Sequence, residues 1–364
     1  MRLVRDGLAS VEKSGLDCSD RLVVERQREM ISVCDSRSVE ISQDPIEDLV
    51  CPGCEAPLAQ SPARLDCAHC GRSARVEFGV PHFVQEFPYW GEIPIEQMQE
   101  LNRLAAGSYW KSALLEFDNP AVKRASLMMT NLDRANWQWL IDLPPDSRAL
   151  DIGGGTGTVS HALGLHYREV IALEPVLERV EFMRRRFRQE GLSNVKVVRS
   201  SVWDLPFGPN SFDLVAMNGV LEWVAEGSTE DPRELQGRAL RKALRLLRPG
   251  GYLYLGIENR TIPTFLVGYP DPHCSLPWVT VLPRPMAHWY AKRHGSARGY
   301  RNYLYSSRGY RRLLKEAGFT KVEIYNALPS YNHPRYYLPL DRNVFSYYAQ
   351  AFDGVKRAGL RGLI

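Results

Sequence analysis

The 364-residue sequence predicts an α/β protein: a largely parallel sheet with helices on both faces, behind a small cysteine-rich module. First, Arg148–Ile152 is a short apolar run that breaks into three alternate glycines and then a helical pattern. From that point strand and helix patterns alternate, as a parallel sheet with crossover helices requires. Upstream, four of the seven cysteines fall in two Cys-x-x-Cys pairs.

Composition sets bounds on function. Apolar residues make up 44% and charged residues 24%, ordinary for a globular protein. No run approaches the ~20 apolar residues of a membrane span, so no transmembrane segment is expected. Met1–Asp20 lacks the apolar core of a signal peptide, and the expected location is cytoplasmic. A net charge of +4 is too small to indicate nucleic acid by itself.

Residues 1–47 read as a loosely ordered leader, with a short helix at Val23–Ile31. A ribbon module follows at 48–86. Cys51-Pro-Gly-Cys54 and Cys67-Ala-His-Cys70 are separated by twelve residues. Each pair forms a knuckle that presents two thiolates, and two knuckles close a tetrahedral zinc site. Cys51, Cys54, Cys67 and Cys70 are the expected ligands; His69 is not needed, and Cys18, Cys34 and Cys274 read as free thiols. Leu49–Val84, with Gly79-Val80-Pro81, resembles the zinc ribbons of small partner proteins of tRNA and protein methyltransferases. It is also similar to ribbons that precede some ribosomal-RNA methyltransferase domains.

A helical connector is expected over 87–146. Tyr89-Trp90-Gly91-Glu92 opens it, and Pro94–Ala106 has helical spacing. Asn119 before Pro120 is a helix start. That helix reads on to about Asp142, with Leu127, Asn131, Arg134 and Gln138 on one face read as packing, until Pro144-Pro145 ends it.

The sheet domain spans 147–342. The turn Gly153-Gly154-Gly155-Thr156-Gly157 follows Asp151, and its third spaced glycine comes one residue too early for a dinucleotide fingerprint. Glycine here lets a ligand approach the backbone closely. The second strand, Val170–Leu173, ends in Glu174, 23 residues after Asp151 and near the ~20 of a ribose-binding acid. Leu177–Gly191 reads as an amphipathic helix with Arg184, Arg185, Arg186 and Arg188 as its solvated face. After the third strand, Val195–Val198, comes Ser201-Val202-Trp203-Asp204-Leu205-Pro206-Phe207. The fourth strand, Phe212–Met217, leads into Asn218-Gly219-Val220-Leu221-Glu222-Trp223. Asp231-Pro232-Arg233-Glu234 caps a helix to Leu247. Arg248-Pro249-Gly250-Gly251 then turns into a fifth strand, Tyr252–Ile257, followed by Glu258.

The acidic residue with G-x-G-x-G, the acid ending the second strand, and the Asp-Leu-Pro-Phe loop together resemble the class I S-adenosylmethionine (SAM) methyltransferases. The resemblance implies a seven-stranded Rossmann-like sheet, order 3-2-1-4-5-7-6, with SAM across the carboxyl ends of its strands. Asp151, Gly153, Gly154, Gly155, Gly157, Glu174, Ser201, Val202, Trp203 and Asn218 would bind SAM. Asp151 would lie near its ammonium group, and Ser201 stands where the family usually has Asp on the adenine side. Asn-Gly-Val-Leu after the fourth strand departs from the Asn/Asp-Pro-Pro-aromatic of exocyclic base-amine methyltransferases.

A hydroxyl acceptor needs a general base. Glu222, His273 and Glu258 are candidates by location, although each also reads as an ordinary helix-start, loop or strand-end residue. The ensemble of Asn-Gly-Val-Leu-Glu-Trp, Ile-Glu-Asn-Arg, Tyr-Pro-Asp-Pro-His and Pro-Ser-Tyr-x-x-Pro-Arg resembles bacterial methyltransferases of polysaccharide and secondary-metabolite pathways. It implies O-methylation of a sugar, polysaccharide or other small-molecule hydroxyl. The ribbon keeps an RNA (rRNA or tRNA) methyltransferase open as the alternative. An enzyme facing lipid or glycan at a membrane surface and a silent SAM-binding scaffold also stay open.

An insertion at 261–305 is a candidate acceptor lid. Residues 284–315 hold nine Lys/Arg, no Asp/Glu and five tyrosines, which read either as a solvated basic face or as a grip on an anionic acceptor. Gly309–Gly318 reads as the last helix, Lys321–Tyr325 as a strand, Ser330–Leu340 as the final antiparallel strand and 343–364 as a tail.

Overall fold

The computed structural model describes residues 43–89 and 91–340. The leader up to residue 42 with its expected helix Val23–Ile31, Trp90, Cys18, Cys34 and the 343–364 tail lie outside the described residues.

Four short strands open the chain: β1 Ala59–Gln60, β2 Arg64–Asp66, β3 Ser73–Glu77 and β4 Val80–His82. They pair antiparallel in sequence order. The β3–β4 turn has two central residues, Phe78 and Gly79, both at positive φ, as the right-handed twist of a tight hairpin requires. Helices α1 Ile95–Gly107, α2 Trp110–Glu116 and α3 Pro120–Thr130 follow. The Asn119 side chain caps α3 by accepting from the Ala121 and Val122 amides. The expected continuous helix to Asp142 is broken. Asn131 leaves helical geometry and caps a separate 3-10 helix, Leu132–Leu140. An asparagine side chain competes well for backbone amides, which explains the break.

The sheet domain then alternates. Its elements are β5 Arg148–Ile152, α4 Thr158–Gly164, β6 Glu169–Glu174, α5 Leu177–Gln189, β7 Val195–Arg199, β8 Phe212–Asn218, α6 Pro232–Leu246 and β9 Leu247–Gly256. Next come α7 Pro263–Leu266, α8 Arg284–Arg293, α9 Ser307–Ala317, β10 Tyr325–Leu328 and β11 Tyr336–Pro339. Strands β5 to β9 are parallel neighbours in the order β7-β6-β5-β8-β9, the expected 3-2-1-4-5. Every residue of β5 is buried. Leu150 and Ile152 face α6, packing with Leu235, Ala239 and Ala243. Ala149 faces the opposite layer of Val159, Leu163, Met183 and Phe187.

Two expectations about the sheet are corrected. It has nine strands among the described residues, because β4 joins the β7 edge in parallel through His82 and Arg199. Phe83 N–H donates to Arg199 O at 2.9 Å, so the ribbon covers an otherwise open edge. Ile46, just ahead of the ribbon, and ribbon residues Leu49, Leu65 and Ala74 share one core with Phe207 and Phe212. The last two strands do not enter this sheet; β10 and β11 pair antiparallel with each other. Residues of β10 alternate half-buried with exposed. A strand inside a sheet covered on both faces needs an apolar run instead.

The arginines of α5 are a third correction. Arg184 and Arg186 are buried, and Arg186 is fully so. Arg186 Nη1 donates to Met129 O, Thr156 O and Thr158 Oγ1 at 2.8–3.1 Å, and its guanidinium lies 4.3 Å from the Trp110 ring. It therefore joins α3, the glycine turn, α4 and α5. Arg184 lies over the Phe78 ring at 4.5 Å.

No helix among the described residues is long and apolar enough to cross a membrane.

Candidate functional site

The glycine turn sits at the carboxyl end of β5. Gly153, Gly155 and Gly157 all have positive φ, but for different neighbours. A Cβ on Gly153 would meet Val220 at 2.6 Å, and one on Gly157 would meet Phe187 at 2.6 Å. A Cβ on Gly155 would meet only Arg179, at 3.9 Å. The outer two glycines therefore close the turn onto the protein, and Gly155 alone keeps a side open for a ligand. Gly154 N–H donates to Leu173 O at 3.0 Å, which ties the turn to β6.

Two buried acids flank the turn. Asp151 is 1% exposed and accepts from Ser160 Oγ at 2.6 Å. Burial pushes its carboxyl up to about 6, against the Ser160 hydrogen bond and the Arg134 charge. Glu174 accepts from the amides of Gly155 at 3.0 Å and Val176 at 3.1 Å. Burial raises its carboxyl as well, opposed by Arg179.

Arg134, which reads as packing from its helical spacing, instead reaches the site. The 3-10 helix is held over the sheet end by Trp137, stacked on Tyr254 at 3.7 Å. This brings Arg134 into electrostatic reach of Asp151. Its Nη2 donates to Asn332 Oδ1 at 2.9 Å, and its buried Nε has no hydrogen-bond partner among the described residues. Asn218, at the tip of β8, accepts from Tyr254 OH at 3.2 Å, and its Nδ2 is likewise unpartnered. An open cradle at Gly155, two acids and unused donors fit a cationic, hydroxyl-rich ligand such as SAM.

Ser201, Val202 and Trp203, the expected adenine-side residues, follow β7. Ser201 Oγ donates to Asp204 at 3.3 Å and accepts the Trp203 amide at 3.2 Å. Val202 belongs to the core, and the Trp203 ring lies 5.6 Å from Arg238 of α6. These side chains are already engaged with the protein.

Glu222, Glu258 and His273, separate candidates in the sequence, come together. Single ligand atoms of the three lie within 4.8 Å of one another. His273 Nε2 is 3.6 Å from both Glu222 Oε1 and Glu258 Oε2. Its Nδ1 is 2.8 Å from Asp271 Oδ1, and Tyr331 OH donates to Glu258 Oε1 at 2.9 Å. Burial works against charge on His273. The Asp271 hydrogen bond and the two glutamates prevail and push it up to about 10. Burial, reinforced by Glu222, pushes Glu258 up to about 7.

The insertion at 261–305 supplies half of this cluster. Its ends meet where Asn259 bridges Tyr305, so it forms a closed loop beyond β9 that carries Asp271 and His273 inward. Asn302 Nδ2 donates to Glu222 O at 3.2 Å, and Gln236 ties Leu221 O to Tyr303 O. The expected basic grip is partly structural. Arg284 lies 4.0 Å over Tyr303, and Tyr300, Tyr305 and Tyr310 are buried. Arg301 is also buried, donating to Glu230 O and Ala225 O, whereas Arg298 is exposed. Asp271 and Tyr331 carry no periodic signal that would mark them in the sequence.

In the ribbon, the four sulfurs of Cys51, Cys54, Cys67 and Cys70 lie within 4.8 Å of one another, with 3.4 Å from Cys51 to Cys70 and from Cys54 to Cys67. Sulfurs about 2.3 Å from a tetrahedral zinc are roughly 3.8 Å apart. The donor set fits zinc.

Residues 150–255 match the family model described as "Methyltransferase domain". A demethylmenaquinone methyltransferase of Clavibacter sepedonicus is 37% identical over 120 residues, 33% of this chain and 44% of that protein. A ubiquinone/menaquinone biosynthesis C-methyltransferase of Vibrio cholerae is 26% identical over 176 residues, 46% of this chain and 62% of that protein. The chain thus spans less than two thirds of the length of either relative. Among solved structures, a SAM-dependent methyltransferase of Thermotoga maritima aligns with a TM-score of 0.37 and 24% identity, over 58% of this chain and 82% of that one.

Proposed function

We propose that this chain transfers a methyl group from SAM to a hydroxyl of a small molecule, sugar or glycan. The observation that carries the reading is the cluster of Glu222, Glu258, His273 and Asp271 beyond the ends of β8 and β9, with Glu222 and Asp271 buried and Glu258 and His273 half-buried. SAM supplies an electrophilic methyl with a neutral leaving group, so positioning dominates the catalysis. Asp151 pairs with the ammonium group, Glu174 accepts the ribose hydroxyls, and Arg134 and Asn218 offer their spare donors. The carboxylate cluster orients the acceptor hydroxyl and takes its proton. Zinc on the four cysteines holds the ribbon, which is too small for a core of its own.

A quinol-type acceptor is the second reading. The two named relatives act on quinone precursors by their names. Leu266, Val267, Tyr269, Trp278 and Trp289 of the insertion are large, apolar and exposed, which suits a greasy acceptor.

The test is methyl transfer from labelled SAM into separate glycan, small-molecule alcohol, quinol and RNA pools. Label in the first two supports the main reading, and label in the quinol pool moves it to the second. Label confined to RNA overturns both.

A further inference from the structure

The cluster of Glu222, Glu258 and His273 has a geometry that hydrogen bonding within the protein does not explain. Glu222 is 1% exposed, yet neither of its carboxylate oxygens has a hydrogen-bond partner among the described residues. The buried Glu258 Oε2 is in the same state. Leaving such oxygens without a hydrogen bond in a buried site is costly.

The orientation of the three side chains is also fixed. Asp271 Oδ1 faces His273 Nδ1 at 2.8 Å, so the ring directs Nε2 at the two glutamates. Asp271 is itself held by Tyr300 OH at 3.3 Å and by the His273 amide at 2.7 Å. A histidine whose outer nitrogen is held by a carboxylate is the arrangement that orients metal-ligating imidazoles. Tyr331 fixes Glu258 Oε1 and thereby turns Oε2 toward His273.

Two carboxylate oxygens and an imidazole nitrogen facing one another need a cation among them, either the proton of a charged imidazole or a metal ion. A shared proton draws N and O to about 2.7–3.2 Å. The observed separations are 3.6 Å on both sides. Two ligands about 2.1 Å from a tetrahedral ion lie roughly 3.4 Å apart. The spacing favours the ion.

We propose that Glu222, Glu258 and His273 form a binding site for a divalent first-row metal ion, with Asp271 and Tyr331 as positioning residues. One imidazole and two carboxylates suit Mn²⁺, Fe²⁺ or Zn²⁺ better than Mg²⁺, which prefers oxygen and water. Three protein ligands leave coordination positions open. The site is separate from the four-cysteine cluster, whose soft thiolates select zinc over manganese. Metal binding here goes beyond methyl transfer and is measured without any acceptor.

The experiment is Mn²⁺ titration of the full chain carrying its zinc, followed by electron paramagnetic resonance and calorimetry. One tight Mn²⁺ per chain is expected. Glu222→Gln and His273→Asn, each folded by circular dichroism, should weaken it more than tenfold, whereas the exposed Glu226→Gln should not. If Glu222→Gln fails to fold, Glu258→Gln reads the same site, since its side chain is partly accessible. An anomalous peak between the three ligands in a Mn²⁺-soaked crystal would support the site. No saturable binding at millimolar Mn²⁺, or binding unchanged in the folded variants, overturns it and leaves a protonated histidine between two acids.

Discussion

The Gly155 amide donates to Glu174 Oε2 at 3.0 Å, so the glycine turn and the second-strand acid form one unit. The other oxygen accepts from Val176. The acid expected to hold a ribose thus also fixes, from a buried position, the backbone of the glycine turn.

Asp151 should give the protein a measurable pH dependence. Its folded value of about 6 lies above the ordinary aspartate value of 3.8. A raised carboxyl favours the protonated folded state, so this group's contribution to stability falls as pH rises from about 4 to 6 and stays low above. Asp151→Asn should therefore melt higher than the wild type near pH 7.5. The gain should vanish near pH 4, and SAM binding should be weakened throughout. Thermal melts across that range check it; a gain that does not depend on pH contradicts the burial argument.

Arg186 should be a stability residue. In Arg186→Met the Thr156 carbonyl loses its partner, and the Trp110 ring loses its cation. An unsatisfied buried acceptor costs about 1–3 kcal/mol. Together with the lost packing we expect a destabilisation of roughly 3 kcal/mol, read by urea denaturation, and weaker SAM binding through the loosened turn.

The contrast between Arg186 and Asp151 indicates what the sequence could carry. The β5 run, the glycine spacing and the acid ending β6 are local patterns, and each appears where its spacing implies. Arg186 sits among three other arginines, and its partners Met129 and Thr156 are remote in the chain, so the run reads as a solvated face. The ribbon's attachment through His82 and Arg199 is equally invisible, because edge pairing across more than a hundred residues leaves no periodic trace. Glu222, Glu258 and His273 are legible only as a helix-start acid, a strand-end acid and a loop histidine. That they meet depends on the closed loop from Asn259 to Tyr305.

The four cysteines should hold one equivalent of zinc per chain. Cys51→Ser should lower it and destabilise the sheet edge, because β4 pairs with β7. Metal analysis of protein purified without added zinc checks this; content unchanged in the variant contradicts the site.

Arg298 and Arg301 should separate. Arg301→Ala removes donors to Ala225 and Glu230 carbonyls and should lower the melting temperature. Arg298→Ala, at an exposed position, should leave melting unchanged and weaken only an anionic acceptor. Melting curves and acceptor KM values for the two variants check it; equal melting would contradict the structural role of Arg301.

The most direct test of SAM binding at the glycine turn is calorimetric titration of SAM into the wild type and Gly155→Val. Gly155 alone of the three spaced glycines faces open space, with Arg179 3.9 Å from the position a Cβ would take. The wild type should bind one SAM per chain and give no heat with NAD, and a folded Gly155→Val should lose SAM binding. Unchanged SAM affinity in that variant, or binding of NAD in place of SAM, would contradict the assignment.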